Sequence, residues 1–94
     1  MHMIRYRFEW DEQKNQTNQK SHGLSFAQAS QAFYDPMHII IEDVAHSKNE
    51  PRYFLIGFDG AGVATVRFTL RDEHIRIIGA GYWRKGKKLY EGRK

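Results

Sequence analysis

Residues 8–36 read FEWDEQKNQTNQKSHGLSFAQASQAFYDP, and the two halves of this stretch follow opposite rules. Residues 12–20, EQKNQTNQK, carry no apolar side chain. A helix that is polar all round has no face to bury, so it bridges solvent or meets a polar partner. Asp11 suits its N-cap, and His22-Gly23 suits its exit, because glycine takes the left-handed conformation without strain. Residues 25–34 are textured as core. Ser25 and Gln28 form a capping-box pattern, Leu24 can staple against Ala29, and Phe26, Ala29 and Phe33 recur at helical spacing. Asp35-Pro36 ends this helix, since the residue before proline is pushed out of the helical region. A polar, partly cationic helix is therefore expected beside a well-anchored one, with His22 at their junction.

Outward from this stretch, Ile4–Trp10 alternates as a strand, with Ile4, Tyr6, Phe8 and Trp10 on one face and Arg5, Arg7 and Glu9 on the other. Met37–Val44 is apolar and β-branched and reads as a strand; residues 45–51 read as loop. Three further strands are expected over Arg52–Phe58, Val63–Arg71 and His74–Gly81. Asp59-Gly60-Ala61-Gly62 and Asp72-Glu73 supply their turns. A short basic helix follows over about Lys85–Glu91, with Leu89 and Tyr90 able to dock on the sheet. This order predicts an α+β fold: a small antiparallel sheet with two N-terminal helices and a short C-terminal helix. A chain of 94 residues is expected to form one domain over 1–94.

The chain has no cysteine, which excludes disulfides and thiolate chemistry and suits a reducing compartment. No apolar run reaches the length of a membrane span, and no signal-peptide core opens the sequence, so a cytoplasmic protein is expected. The formal charge is +4, and its distribution is uneven. Residues 84–94, RKGKKLYEGRK, hold six Lys/Arg and one Glu, whereas the other 83 residues hold nine basic and ten acidic groups. A cationic C-terminal patch favours a polyanion or an acidic protein through long-range attraction and counterion release.

The last hairpin can be read to the residue. With Asp72-Glu73 as a two-residue turn, Arg71 pairs with His74, Leu70 with Ile75, Thr69 with Arg76, Phe68 with Ile77 and Arg67 with Ile78. Val66, Phe68, Leu70, Ile75 and Ile77 then face a core, and Thr65, Arg67, Thr69, Arg71, His74 and Arg76 face the other way. Like charges across a sheet repel, so three arginines on one face imply an anion above them, or neutralising carboxylates such as Glu9 or Glu42.

Arginine forks fit phosphate. Metal-free cleavage of RNA needs a base for the 2′-hydroxyl, a cation for the phosphorane charge and an acid for the leaving 5′-oxygen. His22, His74, Arg71, Arg76 and Lys14 or Lys20 can fill these roles, with Tyr82, Trp83 and Tyr90 available to stack on bases. The histidines at 2, 22, 38, 46 and 74 show no metal-binding spacing, so neither metal nor cofactor is expected.

FEWD, Lys14-Asn15, Asn18, HGLSF, the helix with Ala29 and Phe33, Asp35-Pro36, and the later RYFLIG, FTLR and IRII segments together resemble the BrnT family over nearly the whole chain. The resemblance implies a RelE-like fold and the toxin half of a type II toxin–antitoxin pair, an endoribonuclease that inhibits translation. It implies a BrnA-type antitoxin as partner, which binds operator DNA through a ribbon-helix-helix domain, so that DNA is met only indirectly. On this basis the catalytic candidates are His22, Arg71 and Arg76. The RNA-binding candidates are Lys14, Lys20, Arg67, Tyr82, Arg84, Lys85, Lys87 and Lys88. The chain departs from the family pattern twice: Ser21 stands where the lysine of a Lys-His-Gly turn is expected, and Gly81 where an arginine is expected. The alternative reading is a protein-binding module for a DNA-binding antitoxin, with little or no turnover.

Overall fold

The computed structural model describes residues 5–93. Ile4, in the expected first strand, and Lys94, in the basic tail, lie outside them. The elements run β1 (Phe8–Glu9), α1 (Glu12–His22), α2 (Phe26–Ser30), a 3-10 turn (Gln31–Tyr34), β2 (Ile39–Glu42), a second 3-10 turn (Val44–His46), β3 (Tyr53–Phe58), β4 (Val63–Arg71), β5 (His74–Gly81) and α3 (Arg84–Gly92). The fold is α+β: three helices and a five-stranded sheet in the order β1-β5-β4-β3-β2. No helix among the described residues is long and apolar enough to cross a membrane.

The sheet is mixed, which corrects the expectation of a purely antiparallel one. β2 to β5 pair antiparallel, β2 and β3 through the loop at 43–52 and the later strands through short turns, whereas β1 lies parallel to β5, with Phe8 opposite Ile75. Strands joined by a short turn must reverse direction; β1 and β5 are separated by most of the chain and are free to run the same way. β1 is also far shorter than the expected Ile4–Trp10. Its alternation still holds, because Tyr6, Phe8 and Trp10 all pack against the core.

The core lies on one face of the sheet. Leu24, Phe26, Ala29, Ala32 and Phe33 cover Leu55, Val66, Phe68 and Ile77, and Phe33 meets Phe8 and Phe68 edge-on at 5.2 and 5.1 Å. The helix expected over 25–34 is split into α2 and the following 3-10 turn. Ser25 caps it, its Oγ accepting from Gln28 N–H at 3.1 Å. Gln28 does not complete the box; its Nε2 donates to the Asp59 carbonyl instead (2.9 Å). The free N–H of Phe26 is taken by Asn15 Oδ1 of α1 at 2.8 Å.

That bond is part of how the polar helix is held. Asp11 caps α1, Gly23 closes it at φ 67°, and Asn15 and Asn18 are its two buried residues. Asn18 Nδ2 donates to Leu24 O (2.8 Å) and Ala80 O (2.9 Å), while Oδ1 accepts from Ala80 N–H (3.2 Å). With no apolar stripe to bury, α1 is docked by two asparagines that bond to backbone.

The hairpin register is as expected from Arg71↔His74 through Phe68↔Ile77. Asp72 and Glu73 take φ of 49° and 67°, the mirror-image turn that matches strand twist. A bulge then places Arg67 opposite Gly79 rather than Ile78. Two side chains keep their expected faces but not the expected burial: Leu70 is 56% exposed, and Thr69 on the polar face is fully buried, its hydroxyl donating to Pro51 O at 2.6 Å.

α3 crosses this second face. Gly86 makes that possible, because a Cβ there would lie 2.0 Å from Thr65 Oγ1. Two tyrosines fasten the segment: Tyr82 OH donates to Asp59 Oδ2 (2.6 Å), and Tyr90 OH donates to Asp35 Oδ2. Of the two residues expected to dock, Tyr90 anchors the helix, and Leu89 is 44% exposed.

Candidate active site

One face of α1 repeats every four residues: Gln13-Lys14, Thr17-Asn18, Ser21-His22. These side chains line a cleft of about 240 Å³, closed on the sheet side by Ile78, the residue that the bulge leaves unpaired. His22 is exposed at the end of α1, and its ring meets Trp83 edge-on, with centroids 5.2 Å apart at 77°. Trp83 in turn lies on Gly81, where a Cβ would come within 2.5 Å of the indole. The position at which an arginine was expected is therefore the seat of an aromatic ring that backs the histidine.

The expected arginine face exists, and each arginine has a carboxylate. Arg76 Nη1 lies 2.6 Å from Glu9, and His74 Nδ1 stands 4.0 Å from the same carboxylate while approaching Asp72 O at 3.0 Å. Arg71 makes two bonds of 3.2 Å to Glu50. Those bonds, more than the nearby positive charge, hold the Glu50 carboxyl below its ordinary value against burial, and they raise Arg71. Arg67 reaches Asp43 at 3.8 Å and lies 5.8 Å from the Phe54 ring. Of the two carboxylates expected to neutralise this face, Glu9 does so; Glu50 and Asp43 take the place of Glu42.

Lys14 and His22 are thus brought into one cleft. Arg76 sits two residues before Ile78 on β5, outside the residues that line this cleft. Arg71 lines a different cleft with His46, Lys48, Glu50 and Arg52. Lys20 is exposed in the last turn of α1, and Arg84, Lys85, Lys87 and Lys88 are exposed along α3. Tyr82 is engaged with Asp59; burial, then that bond and charge, push its phenol up to about 12. Among the described residues no three His, Asp or Glu side chains cluster so as to hold a metal ion. Sequence reasoning passed over Gln13, Thr17 and Ile78 as cleft residues. The four-residue repeat along α1 was the available signal for the first two, and nothing local announces the bulge.

The α+β scaffold thus brings His22 into one cleft with Lys14 and against the Trp83 ring, and α3 adds a row of exposed cations. The family model described as "Ribonuclease toxin, BrnT, of type II toxin-antitoxin system" matches residues 10–86, and the chain belongs to that family. Membership makes it a ribonuclease toxin with an antitoxin as partner. No curated protein gives a significant match to the chain.

Proposed function

We propose that residues 1–94 form one RelE-like toxin domain that cleaves RNA without a metal ion and so inhibits translation in the cytoplasm. The observation that carries this reading is the joint placement of His22 and Lys14 in the α1–β5 cleft. His22 acts as acid or base on the 2′-hydroxyl or the leaving 5′-oxygen. His74, linked to Arg76 through Glu9, is the second imidazole on that sheet face. Arg76 stabilises the phosphorane once the RNA phosphate displaces Glu9, one anion replacing another. Arg71 makes the same exchange from Glu50. Lys14, Lys20, Arg67, Tyr82, Arg84, Lys85, Lys87 and Lys88 hold the RNA, and Trp83 offers a stacking surface. The partner is a BrnA-type antitoxin, and DNA is reached only through it.

A second reading is favoured by the carboxylates on Arg67, Arg71 and Arg76 and by the indole seated at Gly81: a protein-binding module for the antitoxin without turnover. Inducing the chain without its partner separates the two. Growth arrest by the parent, absent from a folded His22→Ala, Arg71→Ala, Arg76→Ala variant, supports the ribonuclease. Arrest by neither, with both proteins soluble, supports the binding module.

A further inference from the structure

The two edges of the sheet are finished differently. Beyond β5, the short β1 and then Asn18 take up the outward backbone groups. At the other edge β2 has one neighbour, β3, and among the described residues no further strand pairs with its outer side. Natural edge strands are blunted by lysine, proline, bulges or a covering element. β2 reads IIIE, with Ile40 53% and Ile41 41% exposed, and Val44 just beyond it is 76% exposed. The ladder bond from Asp43 N–H to Arg52 O, 2.7 Å, fixes which groups face outward. Counting back by the two-residue period, Ile41 and Ile39 bond to β3, and the N–H and C=O of Ile40 and Glu42 point away from the sheet.

An apolar surface adjoins β2 on each face. Ile41, Val44, Phe54, Trp83 and Leu89 line a groove of about 430 Å³ toward α3. Tyr6, His38, Ile40 and Leu70 border a second, of about 250 Å³, on the core side. An extended chain beside β2 would place alternate side chains over the two grooves while its backbone paired with Ile40 and Glu42.

We infer that the antitoxin docks by adding an extended segment to the free edge of β2, with apolar residues at alternate positions and acidic residues where the segment nears α3. This rests on the reading of the chain as the toxin of a pair. Charge selects the occupant. Lys85 lines the first groove and Lys88 lies three residues along the same helix, so α3 presents cations; the carboxylate of Glu42 sits at the opposite lip. A second copy would set one chain of formal charge +4 against another, whereas an acidic segment gains from the attraction.

The test uses the purified cognate antitoxin, with amide hydrogen exchange read on the unaltered toxin and the affinity measured for Ile40→Pro. Proline at 40 removes an outward N–H and the isoleucine side chain but none of the bonds to β3, and an edge strand is one of the places where proline is tolerated. The expected result is slowed exchange at Ile40 and Glu42 in the complex, and binding weakened about tenfold or more in Ile40→Pro at unchanged melting temperature. Antitoxin binding that leaves exchange at both amides unchanged would overturn the assignment of this edge. If Ile40→Pro unfolds, exchange on the unaltered chain decides alone. Concentration-dependent protection of these amides in toxin alone would give the edge to a second copy and overturn the antitoxin as its occupant. Failure of the unaltered toxin to bind any antitoxin would instead remove the toxin–antitoxin reading on which this inference rests.

Discussion

The side chain of Asn18 occupies the place of a neighbouring strand beside Ala80, donating to its carbonyl at 2.9 Å and accepting from its N–H at 3.2 Å. A helix with no apolar side chain is thereby fixed to the end of a sheet, and His22, one turn further on, inherits the position. Asn18→Leu keeps the branched shape, with somewhat more bulk, but leaves Leu24 O, Ala80 O and Ala80 N–H without the Asn18 bonds. Unmade buried bonds cost about 1–3 kcal/mol each and are not additive, so the expected loss is about 2–4 kcal/mol in denaturant unfolding. Loss of toxicity should accompany it even in the fraction that stays folded, because the histidine loses its support.

α3 depends on the absence of a side chain at residue 86. In Gly86→Ala the new Cβ meets Thr65 Oγ1 at 2.0 Å, and overpacking of this kind costs about 1–3 kcal/mol. Thr65→Val is expected to behave differently. Among the described residues Thr65 Oγ1 is buried without a hydrogen-bond partner, so replacing the hydroxyl with a methyl group should leave stability unchanged or raise it. Thermal melts of the two single variants check both statements.

The strands from Tyr53 to Gly81 were legible because alternation and turn chemistry are local, and Asp72-Glu73 set four hairpin pairs without help from the rest of the chain. The bulge after Phe68 was not, since an unpaired Ile78 has the same sequence texture as a paired one. The parallel contact of β1 joins residues far apart along the chain and leaves no local mark. The docking of α1 was hidden for a different reason: two buried asparagines in a run of polar residues look like the solvated ones beside them. His22 and Lys14 could be named as candidates, but which cations share a cleft with His22 depends on where Glu9, Asp43 and Glu50 fall in space.

The two tyrosine–aspartate bonds that fasten α3 give its docking a pH window. Burial and then Asp59 push the Tyr82 phenol up to about 12, and the bond to Asp35 raises Tyr90. For groups raised on folding, the stabilisation is intact below the free phenol value of about 10 and is lost as pH climbs through the folded value. On the acid side, burial would raise Asp35, but hydrogen bonds from Tyr90, Phe58 N–H and Met37 N–H outweigh it and lower the carboxyl. Its contribution is present above 3.8 and is lost as pH falls through the lower folded value. Melting temperature should therefore fall at both extremes, and Tyr82→Phe should flatten the alkaline limb.

Trp83 over Gly81 is expected to resist restoration of an arginine there. Gly81→Arg drives its Cβ into the indole at 2.5 Å, so Trp83 must leave and His22 loses the ring against which it packs. A red-shifted, quenched tryptophan emission would report the displacement, with no gain in activity. An unshifted spectrum together with faster cleavage would contradict the seating of Trp83.

The most direct test of the account is cleavage of a single-stranded RNA by the purified chain in the presence of a chelator, beside a folded His22→Ala variant. The account predicts cleavage by the parent that survives the chelator, and a loss of about a hundredfold or more in the variant, the usual worth of a positioned acid or base. Equal cleavage by parent and variant would contradict the assignment of His22. No cleavage by a well-folded parent would contradict the proposed chemistry in this chain.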